Sequence, residues 1–229
     1  MDNLKSIIIA VDGPSGSGKS SVSKMIAERL KLTYIDTGAM YRAVTLKVMN
    51  EGANIEDTSR VGAIASRCNI TFKKVDNENH TFLDSEDVSD QIRESKVTRL
   101  TSKVSSIPIV REVLVSLQRQ IGKNGGVIMD GRDVGTVIFP DAQCKFFLDA
   151  SLDVRGKRRY LEIQEKNGLA VDEDSVVKDM AARDEADSTR SDSPLTKADD
   201  AIYIDTTDMS PLDVVKAMEK VISSTVNQE

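Results

Sequence analysis

The sequence has one histidine, two cysteines, no tryptophan and no long apolar run. Most of these shortages narrow what the chain can do. Cys68 and Cys144 lie far apart and form no CxxC or Cys/His zinc spacing, so both read as reduced core thiols of an intracellular protein. The early apolar stretch Ile7 to Val11 is too short for a signal-peptide core or a membrane span. A cytoplasmic location is therefore expected, with no membrane partner. There is no basic excess either: 31 Lys and Arg against 37 Asp and Glu give a formal charge of −6, which argues against general nucleic-acid binding. His80, the lone histidine, stands beside a polar turn and reads as a surface hairpin residue, not a catalytic base. The missing tryptophan excludes nothing.

What is present fits a soluble globular chain: 39% apolar and 30% charged residues over 229 positions, enough for one well-buried α/β domain with an insertion. Short β-branched runs such as Ser6 to Asp12 and Val127 to Met129 read as strands buried on both faces. The helical period follows from Ser20 to Leu30, where Val22, Ile26, Ala27 and Leu30 share a side. Further strands are expected at Thr33 to Ile35, Cys144 to Leu148 and Ala201 to Ile204. Helices are expected from Thr37 to about Met49, from Glu94 with a break at Pro108, over Val110 to Ile121, Asp153 to Lys166 and Asp174 to Arg183, and from Pro211. The middle differs. Asn69 to Val75 and Thr81 to Leu83 read as strands joined by the turn Asp76 to Asn79, with a third around Val88. The fold class is therefore α/β, a parallel doubly wound sheet flanked by helices with a small β-rich insert at about 66–92. Its active groups are expected at the strands' C-terminal ends. No repeat or low-complexity linker interrupts it.

The strongest chemical signal is Gly13-Pro14-Ser15-Gly16-Ser17-Gly18-Lys19-Ser20, a full GxxxxGK[ST] match after a strand and opening a helix. Its glycines let the backbone wrap phosphate, and its N–H groups with the helix dipole attract anions. These residues, with Ser21 after them, are expected to bind ATP. Lys19 is placed to reach the β- and γ-phosphates and the Ser20 hydroxyl to ligate Mg²⁺. A guanine-reading NKxD is absent, which argues against a GTPase. Asp153 to Gly156 spells DxxG but opens an apparent helix. Val127 to Asp130 ends in Asp-Gly-Arg-Asp, not the Asp-Glu of a motor ATPase, and so offers a Walker-B-like carboxylate next to an arginine.

Arginines cluster late in the chain. Arg155, Arg158 and Arg159 share a helix face; so do Arg183, Asp187 and Arg190 if their helix runs that far. Either group could be a solvated surface. Beside a phosphate loop they suit phosphoryl transfer, because guanidinium grips phosphate bidentately and stabilises spreading charge without a covalent intermediate.

Four blocks together resemble bacterial cytidylate kinases: DGPSGSGKSS at 12–21, DTGAMYRA at 36–43, DGRDVGTVIFPDA at 130–142 and RDEADSTR at 183–190. The resemblance covers about residues 5 to 222, in one P-loop kinase domain. It implies that the insert with its flanking helices binds the acceptor nucleotide and that about 153–168 forms a helical lid. It also implies roles for matching positions. Thr37, Tyr41 and Arg42 would border the acceptor, with Arg42 and Arg132 on its phosphate. Ser102, Arg111 and Asp133 would read the cytosine edge, Arg183 and Asp187 would hold the sugar, and Arg190 the phosphate under attack. Arg158 and Arg159 would belong to the lid, and Asp130 would contact the acceptor or a Mg²⁺-bound water. Lys19, Arg132, Arg158, Arg159 and Arg190 form the expected catalytic set. Position 37 is Thr where some relatives have Ser, and both keep the hydroxyl. Plainer roles stay open: Asp36 and Thr37 as helix caps, Asp130-Gly131 as a strand-ending turn, Tyr41 as core. The expected reaction is in-line transfer from MgATP to CMP or dCMP by a monomer. A kinase for another small acceptor and a nucleotide-dependent switch are the rivals.

Overall fold

The apolar runs Ile8–Asp12, Val127–Gly131 and Cys144–Asp149 form the expected strands and are largely buried on both faces, whereas the expected strand at Ile202–Asp205 is mostly exposed. In the computed structural model, residues 6–76, 78–167 and 172–226 are described, with only the backbone of Lys166 and Asn167. The chain runs β1 (Ile8–Asp12), α1 (Lys19–Leu30), β2 (Thr33–Asp36), α2 (Thr37–Asn50), α3 (Thr58–Ala65), β3 (Ile70–Val75), β4 (Glu78–Leu83) and β5 (Glu86–Asp87). It continues with α4 (Ser95–Ser105), α5 (Pro108–Gly122), β6 (Val127–Gly131), β7 (Cys144–Asp149), α6 (Leu152–Asn167), α7 (Glu173–Thr189), β8 (Ile202–Asp205) and α8 (Pro211–Val226). Asn77, in the expected hairpin turn, and Gly168, at the end of the expected lid, lie outside the described residues.

The fold divides into two compact units, one formed by residues up to Tyr34 and from Asn124 onward, the other by Ile35–Lys123. The first unit carries the large sheet, in the order β2-β6-β1-β7-β8. β1 pairs in parallel with β6 (Val11 opposite Asp130) and with β7 (Val11 opposite Phe146), and β7 with β8. The strand order therefore reverses at β1. The loop after β1 lies at that switch point, where doubly wound sheets bind their ligands. Ile9, Val11, Ile128 and Phe146 from the strands meet Val22 and Ile26 of α1 and Val215, Met218 and Ile222 of α8 in one buried cluster. Each such side chain contributes about 1.5–3 kcal/mol by leaving water. Among the described residues no helix is long and apolar enough to cross a membrane.

The second unit joins α2 to α5 with the antiparallel sheet β3-β4-β5. Met40, Val44, Val61, Ile64, Val97, Val110 and Leu114 are buried in its helices. Asp36 caps α2 by accepting from the Ala39 N–H at 2.9 Å, and Pro108 opens α5 where its missing N–H does no harm. The third strand of the insert lies at Glu86–Asp87. Val88 follows it and donates its N–H to the Thr81 carbonyl. Helix α7 runs six residues past the expected Arg183, because its last turns, Asp184 to Thr189, are polar and give no apolar period to read.

Ile26→Ala removes a fully buried side chain between α1 and the sheet. It is expected to lower stability by about 2–5 kcal/mol, measured as a drop in the urea midpoint at constant m-value. A loss below about 1 kcal/mol would mean that the cavity collapses without penalty.

Candidate active site

The phosphate loop is shaped by backbone that only glycine supplies cheaply. Gly13 has φ +144°, and a Cβ there would meet the Leu148 carbonyl oxygen at 1.9 Å. Gly18 caps α1 at φ 90° with no side-chain acceptor on the first turn, the arrangement an anion completes. Lys19 is buried and donates Nζ to the Pro14 carbonyl at 2.6 Å and to Ser17 Oγ at 3.3 Å. Burial, and then the neighbouring charge of Arg132, push the Lys19 ammonium down to about 7. The charges of Asp130 and Asp12 pull the other way and do not offset them. Ser21 stands exposed on the first turn of α1.

The ends of β1 and β6 are tied together. Ser20 Oγ donates to Asp130 Oδ2 at 2.7 Å, and the Tyr34 hydroxyl donates to Asp130 Oδ1 at 2.8 Å. Asp12, 4% exposed, accepts from the N–H groups of Val134 and Gly135 at 2.8 and 2.7 Å. It thereby fixes the π-helical turn Val134–Ile138 that follows the Asp-Gly-Arg-Asp segment. Burial drives the Asp12 carboxyl up to about 7 against those two hydrogen bonds. Asp133 is buried at the start of the same turn, and its carbonyl accepts from the N–H groups of Val137 and Ile138.

Arg132, Arg183, Asp187 and Arg190 gather in the same unit. Arg132 Nε donates to Asp187 Oδ2 at 2.8 Å, and Arg190 Nη1 lies 3.9 Å from Asp187 Oδ1. Burial alone would raise the Asp187 carboxyl. The charges of Arg132 and Arg183, the Arg132 hydrogen bond and the Arg190 charge outweigh it and hold the carboxyl below its usual range. Arg183 and Asp187 sit four residues apart on α7. Arg190 follows the helix as its C-cap in extended backbone, so it does not share that face as a helical residue. Its Nε donates to the Ser193 carbonyl at 2.6 Å.

The arginines of α6 separate. Arg155 is buried and donates Nη1 to the Ser15 carbonyl at 3.1 Å. Arg158 donates Nη1 and Nη2 to Thr206, at 3.0 Å to Oγ1 and 2.6 Å to the carbonyl. Arg159 pairs with Glu162 on its own helix.

In the second unit Thr37, Tyr41 and Arg42 lie along the first turns of α2, with Thr37 and Tyr41 buried. Arg42 donates Nη2 to Asp36 Oδ2 at 2.8 Å. Arg111, 2% exposed on α5, lies 5.6 Å from the Tyr41 ring centroid and donates to the Ser105 carbonyl at 3.2 Å. Ser102 and Ser105 are successive turns of α4, so one helix carries both Ser102 and the anchor of Arg111. His80 Nδ1 donates to Asp87 Oδ2 at 2.6 Å on the hairpin.

A loop built for phosphate, a carboxylate on its serine, and guanidiniums gathered in the same unit can carry phosphoryl transfer. The cytidylate kinase family model matches residues 9–224. The chain is a cytidylate kinase family member. It is 48% identical to the cytidylate kinase of Caldanaerobacter subterraneus subsp. tengcongensis over 229 residues, all of both chains. It is 47% identical to that of Streptococcus agalactiae serotype Ia over 218 residues, covering 95% of this chain and 96% of the relative. A crystal structure of an uncharacterized protein from Eubacterium ventriosum matches 96% of this chain and 99% of its own at TM-score 0.50 and 16% identity, a likeness of fold.

Several contacts that shape the site are not announced by any motif. Tyr34 reaches Asp130 across 96 positions and Asp12 reaches Gly135 across 123, and no local spacing announces such pairs. Asp184 lies inside the RDEADSTR block but reads as one more acid of a polar helix. Asp12 generates a pH prediction. Its folded pKa lies above its unfolded one, so its contribution to stability is lost as pH rises from about 4 to about 7. Asp12→Asn is expected to become progressively less destabilising, relative to the parent chain, across that window. Thermal melts at half-unit pH steps on the ligand-free protein check it; a constant difference would place the charge of Asp12 outside the balance.

Proposed function

We propose that this chain transfers the γ-phosphoryl group of ATP directly to CMP or dCMP, giving CDP or dCDP and ADP. The observation that carries the reading is the Ser20–Asp130 hydrogen bond at the foot of the GxxxxGKS loop, in a chain whose residues 9–224 match the cytidylate kinase family model. Gly13 to Ser21 would take the donor phosphates, with Lys19 on the transferring group. Lys19 is depressed by burial and by Arg132, so a bound polyphosphate would restore its charge and be held more tightly for it. Arg42 and Arg132 would bind the acceptor phosphate. Each is already oriented by a carboxylate, Arg42 by Asp36 and Arg132 by Asp187. Ser102, Arg111 and Asp133 would read cytosine, Thr37 and Tyr41 would border it, and Arg183 and Asp187 would hold the sugar. Arg190, with Arg158 and Arg159 of the lid, would complete the positive charge around the transferring oxygens.

The Ser20 hydroxyl and the Asp130 carboxylate suit a hard cation such as Mg²⁺, which takes few protein oxygens and otherwise keeps water and phosphate ligands. Bound there, it would neutralise phosphate charge during transfer. No protein nucleophile is required, because positioning and electrostatics supply the rate. The enzyme would act on soluble nucleotides in the cytoplasm as a monomer, without nucleic acid or membrane.

A coupled ADP-release assay with MgATP and a panel of CMP, dCMP, UMP, AMP, GMP and shikimate tests this. Turnover is expected mainly with CMP and dCMP, and Arg132→Ala should lower kcat/KM for CMP by at least about a hundredfold. Turnover of shikimate alone would remove the nucleotide reading. ATP binding without turnover of any acceptor would favour a switch.

A further inference from the structure

A peptide plane is rigid, so fixing its carbonyl oxygen also fixes the N–H on its opposite edge. In the phosphate loop the Gly18 carbonyl is held by the Val22 N–H at 3.1 Å, the first bond of α1. The Pro14 carbonyl is held from within the motif by Lys19 and Ser17. The Ser15 and Ser17 carbonyls are held from outside it. Ser15 O accepts from Arg155 Nη1, and Ser17 O accepts from Thr206 Oγ1 at 3.1 Å. The Ser15 N–H donates to Asp184 Oδ1 at 3.3 Å, and the other oxygen of Asp184 takes the same Arg155 nitrogen. One ion pair thus grips Ser15 on both its backbone polar atoms.

These partners are themselves immobilised. Arg155 Nε donates to the Ala150 carbonyl at 2.8 Å, and a Cβ on Gly16 would lie 3.0 Å from the Arg155 Cβ. Thr206 is 2% exposed; its N–H donates to the Asp149 carbonyl at 2.7 Å, and its hydroxyl accepts from Arg158 while donating to Ser17. A hydroxyl has a single proton, so the arginine on one side directs it to the loop on the other.

We propose that Arg155, Asp184 and Thr206 are positioning residues for the phosphoryl donor. They turn the Ser15–Gly16 and Ser17–Gly18 peptides so that the Gly16 and Gly18 N–H groups face the donor phosphates. The proposal rests on the ATP reading above and concerns residues that lie outside the GxxxxGKS motif.

The test compares Thr206→Val, which keeps shape but removes the hydroxyl, with Thr206→Ser, which keeps the hydroxyl. ATP affinity is measured by titration calorimetry, KM for ATP and for CMP by the coupled assay, and folding by thermal melts. Thr206→Val is expected to weaken ATP binding and raise KM for ATP about tenfold, the effect of one buried hydrogen bond left unmade. KM for CMP should stay within about twofold, and Thr206→Ser should return ATP affinity to within about twofold of the parent. Equal ATP affinity in Thr206→Val, or KM for CMP rising in step with that for ATP, overturns the proposal. So does a serine variant no better than valine. If the Thr206→Val melt shows a misfolded protein, Asp184→Asn and Arg155→Met decide by the same split between ATP and CMP. A parent chain that does not bind ATP overturns the donor reading and this proposal together; a parent that binds, with variants that bind equally well, overturns this proposal alone.

Discussion

The chemistry of this chain hangs from the ends of two neighbouring parallel strands, and a buried carboxylate joins them. Asp12 closes β1 and accepts the N–H groups of Val134 and Gly135 beyond β6. The ladder already sets Asp12 opposite Gly131. The carboxylate extends that pairing past the sheet, so the phosphate loop after β1 and the turn Val134–Ile138 after β6 cannot move apart without orphaning two buried donors. Both hydrogen bonds are partly spent on burial, which is why the carboxyl is pushed up and not down. A group held at such a disadvantage persists where it fixes geometry.

The same logic governs the positive charges. Lys19 is depressed by burial and by Arg132, so any anion bound beside it would favour its charged form. Arg132 is kept aimed by Asp187, and their pairing is better read as orientation than as stability, since burying two charges roughly cancels their attraction. Asp36 and Arg42 repeat the device in the second unit, where one carboxylate caps α2 and steers an arginine.

Most of the fold, and the phosphate-loop motif within it, were legible in the sequence. The strands at Ile8–Asp12, Val127–Gly131 and Cys144–Asp149 announce themselves as continuous apolar runs, and the GxxxxGKS loop needs only its strand and helix to be read. The end of α7 was not legible, because Asp184 to Thr189 offers no apolar period. Nor was the division of labour among Arg155, Arg158 and Arg159. Their spacing correctly gives a common helix, and yet one meets Ser15, one Thr206 and one Glu162. Helical periodicity reports which side chains start from the same face. It does not report where long, flexible side chains end.

That distinction bears on how far a phosphate-binding motif explains itself. The glycines of GxxxxGKS permit the loop's backbone angles, as Gly13 does against Leu148, but permission leaves other conformations open. A flexible loop that must choose its bound shape on meeting a ligand loses part of its binding energy to ordering. The loop therefore needs partners that select one shape beforehand; the Ser15 N–H is taken by Asp184, and partners on the carbonyls leave the Gly16 and Gly18 N–H groups to phosphate. Carbonyls are selected by donors. Ser17, Lys19, the Val22 N–H, Arg155 and the Thr206 hydroxyl are the donors present here, and two of those five lie more than a hundred residues from the glycines they restrain. The motif names the ligand; the distant donors set the geometry in which it is met.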